Sequence, residues 1–214
     1  EVVETDYGLL IGAKRDTESG KVYWRITQFI MPFYTMIPPF GGAPRGGHAW
    51  VPMDDENCWT WSWNWNPTRP LTKEELEPMQ TGLGIHAELL PGSQCETKLN
   101  KENEYMMDRN LQRTGESISG IVGVGMQDQA VQESQGSIAD RSIENLGTRD
   151  TAIITASKIL LDAAKNLQKG IEPPALNASS HHLRAASILL EEGLPFQEGA
   201  KEALKLSNED YEAV

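Results

Sequence analysis

Up to Trp65 the apolar positions fall in short alternating runs, separated by polar or Gly/Pro-rich turns, which is the period-two signature of β-strands. Residues 7–15 and 21–36 read as two such runs, joined across the polar Asp16-Thr17-Glu18-Ser19-Gly20 as a hairpin. Pro32 has no N–H to give to a ladder, so the second run is expected to bend, bulge or lie at an edge there. The stretch PPFGGAPRGG, residues 38–47, ends it, either as a solvated connection or as a cover for a pocket mouth. A second pair of runs follows in HAWVPMDDENCWTWSWNWNP and turns at Asp54-Asp55-Glu56-Asn57. Within it Trp59, Trp61, Trp63 and Trp65 recur at every second position and therefore share one face, with Cys58, Thr60, Ser62 and Asn64 on the other. Core packing against helices is the ordinary use of such a wall; a subunit contact, a surface for a flat ligand and a sugar-stacking platform are the others.

Beyond residue 70 the period changes. Thr72 with Glu75 three residues later has capping-box spacing and predicts a helix ending near Gly82. Residues 83–103 have no period and read as a long surface loop. A short helix is predicted over 104–113, stopped by Thr114-Gly115. The glycine-rich SISGIVGVG permits close backbone approach or an irregular conformation and leads into GMQDQAVQES, where Asp128 sits at an expected helix start. The strongest helical pattern follows Thr148 or Asp150 as cap, with Ile153, Ile154, Ser157, Leu160, Leu161, Ala164 and Leu167 on one face, and ends at Lys169-Gly170 before Pro173 and Pro174. Residues 182–206 read as weakly amphipathic, broken at Gly193 and Pro195. Strands first and helices last predict an α+β fold, an antiparallel sheet covered by helices.

Composition narrows the partners. With 39% hydrophobic and 23% charged residues over 214 positions this is the balance of a globular chain, and a net charge of −12 argues against nucleic acid or an anionic membrane as partner. No apolar run reaches the length of a bilayer span and no signal-peptide pattern opens the sequence, so a cytoplasmic location is expected. The two cysteines, Cys58 and Cys95, neither build a disulfide framework nor begin a metal motif. The first residue is Glu, which reads as processing or as a fragment.

The chemistry legible by motif is sparse. His48 and His86 are isolated, His181 and His182 are adjacent, and none has ligand spacing. The Asp54-Asp55 pair reads as a turn. Asp128, taken alone, reads as an acid favoured by a helix N-terminus.

A resemblance changes that reading. MQDQAVQESQGSIADRSIENLGTRDTAIITASKILLDAA, residues 126–164, strongly resembles the corresponding part of Rieske non-haem iron ring-hydroxylating oxygenases of the phthalate dioxygenase type; YWRITQFIMPFYT and HAWVPMDDE, residues 23–35 and 48–56, resemble it in the same order. The likeness covers most of the chain and is least specific over 83–103 and beyond 174. It implies that residues 1–214 form the carboxy-terminal part of the mononuclear-iron catalytic domain, helix-grip-like in fold, of an oxygenase subunit. The family binds Fe(II) through two histidines and one carboxylate. It carries an amino-terminal Rieske [2Fe-2S] domain, whose electrons reach the iron across a subunit boundary in a homotrimer. That domain and the two-histidine motif are expected to lie outside this chain, and Asp128 matches the carboxylate. Glu133, Asp140, Arg141, Glu144 and Asp150 would then be caps and ion pairs fixing the helix that carries it.

The implied enzyme hydroxylates or O-demethylates an aromatic compound with O2, using NAD(P)H-derived electrons from a separate reductase. The substrate would lie between sheet and helices, near apolar residues of the 26–34 run. A non-catalytic ligand-binding module of the same fold is the alternative.

Overall fold

A computed structural model describes residues 1–41 and 44–205. The chain forms two compact units: Glu1–Val51 with Trp63–Pro70 and the chain from Asn145 onward, and Pro52–Ser62 with Leu71–Glu144.

An antiparallel sheet organises the first unit, although Pro52 and Cys58–Ser62 of its strands are counted with the second. Its strands are β1 (Val2–Glu4), β2 (Gly8–Asp16), β3 (Lys21–Ile30), β4 (Tyr34–Ile37), β5 (Arg45–Pro52), β6 (Cys58–Trp65) and β7 (Ala186–Glu191). They follow one another in chain order from β1 to β6, with β7 beside β3. The β2–β3 hairpin is as predicted, in register from Gly8↔Ile30 to Asp16↔Val22. Thr17 Oγ1 closes its turn by donating to the Lys21 carbonyl at 2.7 Å. The run over 21–36 is two strands rather than one. The chain turns at Met31-Pro32-Phe33, where Pro32 withholds a donor, and β4 folds back to pair Tyr34 with Ile30.

That reversal explains a strand that periodicity missed. Because β4 covers only Gln28–Ile30, the edge of β3 from Lys21 to Ile26 is left with unpaired backbone groups, and β7 pairs there from Lys21↔Glu191 to Ile26↔Ala186. The expectation of an amphipathic helical tail over 182–206 is therefore corrected. The open edge of β3 decides the conformation of ASILLE, and helix follows only after Pro195, as the single turn α5 (Phe196–Gly199). Leu206, the last residue of that expectation, lies outside the described residues.

Two apolar clusters hold this unit. One joins Leu10, Trp24, Ile26, Leu190, Phe196 and Ala200. Phe196 stacks on Trp24 with centroids 4.9 Å apart, and the ring fits because residue 12 is glycine: a Cβ there would lie 3.0 Å from the Phe196 ring. The other joins Ile30, Met31 and Ala175 with Ile159, Leu160 and Ala163 of α4 (Thr151–Leu167). Thus α4 exists as predicted, but its packed face is turned. Ala152, Thr155, Ala156, Ile159, Leu160 and Ala163 are half-buried, whereas Ile153, Ile154, Leu161 and Leu167 are exposed. Apolar residues ring more of this helix than one contact can cover, so composition alone could not choose the face.

Ile26, Gln28 and Ile30 of the 26–34 run are buried in the unit's own packing. Ile26 and Ile30 belong to the two clusters. Gln28 is buried, accepts from the Tyr7 hydroxyl at 2.6 Å and donates to the Arg184 carbonyl at 2.9 Å. An open depression of ≈ 500 Å³ lies over Arg15, Tyr23, Pro39 and Leu189. The 38–47 connection is pinned at its start, with Arg25 donating to the Pro38 carbonyl and stacked on Phe40, and Ser187 donating to the Pro39 carbonyl. Its residues 42 and 43 lie outside the described residues.

The second unit contains α1 (Lys73–Gln80), α2 (Arg109–Thr114) and α3 (Val124–Glu133). The predicted capping box is present: Glu75 N–H donates to Thr72 Oγ1 and Thr72 N–H to Glu75 Oε2. Residues 83–103 have a single isolated bridge, Leu89↔Thr97, among irregular turns. The helix expected over 104–113 begins later, because Asp108 caps α2 by accepting from Asn110 N–H at 2.7 Å; Glu104, Tyr105 and Met106 instead take left-handed backbone angles. Gly115 stops α2 at φ 77°, as expected of a left-handed C-terminal glycine.

Candidate functional site

The segment that leads into α3 explains its glycines. Gly123 adopts φ 82°, and a Cβ on it would lie 2.4 Å from the Gly82 carbonyl oxygen; one on Gly125 would lie 2.7 Å from the Ile85 carbonyl oxygen. Gly125 N–H also donates to the Gly84 carbonyl at 2.9 Å. Backbone therefore meets backbone here, and only glycine leaves room. The helix starts one residue beyond Gly123, and Gln127 Nε2 ties it back to the Ile121 carbonyl at 2.9 Å. A Gly123→Ala substitution is expected to cost about 1–3 kcal/mol from its backbone angles alone, before any clash. Thermal unfolding of that variant at the wild-type temperature would contradict this placement.

Asp128 is the fifth residue of α3. It lies past the first turn, where the helix dipole acts most strongly, so the dipole gives little reason for an acid at this position. The side chain is exposed, and among the described residues its carboxylate has neither a hydrogen-bond donor nor an ion-pair partner. Met126, Gln129, Ala130 and Glu133 recur at helical spacing on the opposite face. Met126 is buried with Tyr105 and Ile121, and Ala130 packs on that cluster.

Of the five polar residues expected to fix this helix, Glu133 has hydrogen bonds to α3 and its packing partner, and the other four have local bonds among the described residues. Glu133 lies on α3 itself and accepts from the Tyr105 hydroxyl and, at 2.7 Å, from Gln129 Nε2. Asp140 caps its own 3-10 turn by accepting from Ser142 N–H, and hydrogen bonding from the Ser142 side chain and then from its N–H holds the carboxyl below the usual range. Arg141 pairs with Glu144 at 2.6 Å, and Asp150 accepts from Gly147 N–H at 2.8 Å. Tyr105 was not signalled by the sequence. Its hydroxyl is pushed well above the ordinary phenol value by burial, then by the hydrogen bond to Glu133 and the charges of Glu133 and Glu102. The Gln129–Glu133 pair, at i and i+4, was legible by spacing.

The remaining candidates are placed as follows. Asp54 is a turn former: it accepts from the Glu56 and Asn57 amides and the Asn57 side chain, and these bonds hold its carboxyl below the usual range. His181 is exposed, with Nε2 donating to the Ala175 carbonyl at 2.8 Å. His86 is half-buried, and burial lowers its pKa from the ordinary histidine value. The Trp wall is not core. None of Trp59, Trp61, Trp63 and Trp65 is buried, Trp61 is 56% exposed, and Trp59 and Trp61 stack on each other at 5.6 Å. Each thus uses one ring face on its neighbour. Trp63 packs on the bare backbone of Gly47.

A metal needs several donors at one point. Among the described residues no three His, Cys, Asp or Glu side chains gather into such a group. Asp128, a hard, unpaired oxygen donor, fits one ligand position of a two-histidine, one-carboxylate site, and the other two are not met within these residues. Among the described residues no helix is long and apolar enough to cross a membrane.

The antiparallel sheet with helices is an α+β fold, and residues 1–199 match the family described as LigXa C-terminal domain like, to which this chain belongs. The chain is 28% identical over 199 residues to the 3-chlorobenzoate-3,4-dioxygenase oxygenase subunit of Comamonas testosteroni, which is 87% of this chain and 46% of that protein. It is 30% identical over 173 residues to the phthalate 4,5-dioxygenase oxygenase subunit of Pseudomonas putida, which is 79% of this chain and 38% of that protein. The chain thus spans less than half the length of the curated relatives it matches.

Proposed function

We propose that this chain is the carboxy-terminal part of the catalytic domain of an oxygenase subunit, and that Asp128 is the carboxylate ligand of its mononuclear iron. The observation that carries the reading is the free Asp128 carboxylate on α3, in a chain whose family match runs through that helix. Two imidazoles from elsewhere in the protein complete the set, and a Rieske [2Fe-2S] centre supplies electrons that originate in NAD(P)H and pass through a separate reductase. When bound, the ferrous ion supplies the reaction with O2 that hydroxylates or O-demethylates an aromatic compound. The residues of this chain supply position. The glycine-led contact fixes where α3 starts, and its exposed face carries Asp128 away from the packed one. Subunits associate as a homotrimer in this reading.

Metal and sulfide analysis of the protein from the complete reading frame, purified anaerobically, tests the assignment. About three iron atoms and two labile sulfides per subunit are expected, one cluster plus one mononuclear site. A complete protein that holds no iron would overturn the oxygenase reading and leave a binding module of the same fold.

A further inference from the structure

We infer that Tyr105 and Glu133 are positioning residues for Asp128, acting as a lock on the far side of α3; the inference rests on the reading of Asp128 as an iron ligand. Glu133 follows Asp128 by five residues, which at 100° per residue places the two side chains about 140° apart around the helix. Both side chains are exposed, but Asp128 is unpaired, whereas Glu133 bonds to the buried Tyr105 on the side of Met126 and Ala130.

Both oxygens of Glu133 are engaged. Oε2 accepts from the Tyr105 hydroxyl, and Oε1 accepts from Gln129 Nε2, which also reaches Thr97 Oγ1 at 3.5 Å. Tyr105 is only 8% exposed and belongs to a 3-10 turn, Lys101–Met106, that is itself over-determined. Asn100 and Asn103 cap it reciprocally, and Tyr105 N–H donates to the Asn100 carbonyl at 2.8 Å. Glu104, Tyr105 and Met106 all hold positive φ, at 50°, 54° and 49°. Three consecutive non-glycine residues keep such angles only where the surroundings enforce them. What they achieve here is to aim the Tyr105 hydroxyl at α3.

The geometry sets the scale of the effect. An atom on the outside of a helix lies about 5–6 Å from the axis, so a rotation of about 10° moves it by about 1 Å. Metal–ligand distances tolerate only about 0.2 Å. Apolar contacts of Met126 and Ala130 allow small rotations, because they are not directional. The Tyr105–Glu133 hydrogen bond is directional and stops them.

The test uses the protein from the complete reading frame, loaded with iron, with Tyr105→Phe, Glu133→Gln, Asp128→Ala and, as a control hydroxyl in the first unit, Tyr7→Phe. Three quantities are read: helicity, the rate of iron loss to a chelator, and the electron paramagnetic resonance signal of the ferrous site with nitric oxide. Tyr105→Phe is expected to keep its helicity, lose iron about tenfold faster and change the nitric oxide signal. Glu133→Gln keeps an acceptor for Tyr105 and should fall between it and wild type. Tyr7→Phe should leave both iron readouts unchanged. Wild-type iron loss and signal in Tyr105→Phe and Glu133→Gln, with iron absent from Asp128→Ala, would overturn the lock alone. So would loss of helicity in both, which would make the pair a determinant of the fold. Retention of iron by Asp128→Ala would overturn the ligand reading, and the lock with it.

Discussion

Phe196→Ala is expected to destabilise the protein by about 3–5 kcal/mol, the range for removing a fully buried aromatic ring. The ring has no exposed surface and is enclosed by Leu10, Trp24, Ile26, Leu190 and Ala200. Its site does not readily collapse. Gly12 offers no side chain to move inward, and Trp24 is already fixed on β3 between paired neighbours. Phe196 also belongs to a one-turn helix that has little stability of its own, so the ring anchors α5 rather than the reverse. The damage should therefore reach β7, which is joined to α5 by a short turn and lies on the β3 edge. Urea unfolding followed by circular dichroism gives the number, and hydrogen exchange at Ala186–Glu191 should accelerate beyond that of β2. A loss below about 1 kcal/mol would contradict the packing described.

The elements that the sequence announced are those whose local signals agree with their surroundings. The β2–β3 hairpin, the Thr72 capping box and the Asp54 turn are fixed by residues within a few positions of one another, so a window of the chain contains their cause. The failures are of another kind. ASILLE becomes a strand because β4 is too short to cover β3, which no window around residue 188 reveals. The pattern does not fix the packed face of α4, because its apolar residues exceed the surface it buries. The four Trp residues recur at every second position, yet none is core, because period fixes direction and not what lies opposite.

The candidate site divides in the same way. Asp128 is a candidate only by resemblance to a motif and not by spacing, since its proposed partners are not neighbours in sequence. The glycines before it were visible, but their reason, backbone contact with residues 82–85, is a tertiary one. Tyr105 lies about twenty residues upstream of α3, in a stretch with no period, and only its left-handed backbone makes it conspicuous.

The ligand assignment carries the largest expected effect on function. A facial triad has only three protein donors, so removing its single carboxylate takes away the one anionic ligand and a third of the set. Asp128 is exposed and unpaired among the described residues, so its removal should break no internal bond and leave the fold intact. The measurement is the iron content of Asp128→Ala beside wild type in the protein from the complete reading frame, with cluster iron counted separately through labile sulfide. Cluster iron is expected to be unchanged and mononuclear iron reduced to background. Mononuclear iron retained at the wild-type level in the variant would contradict the ligand assignment.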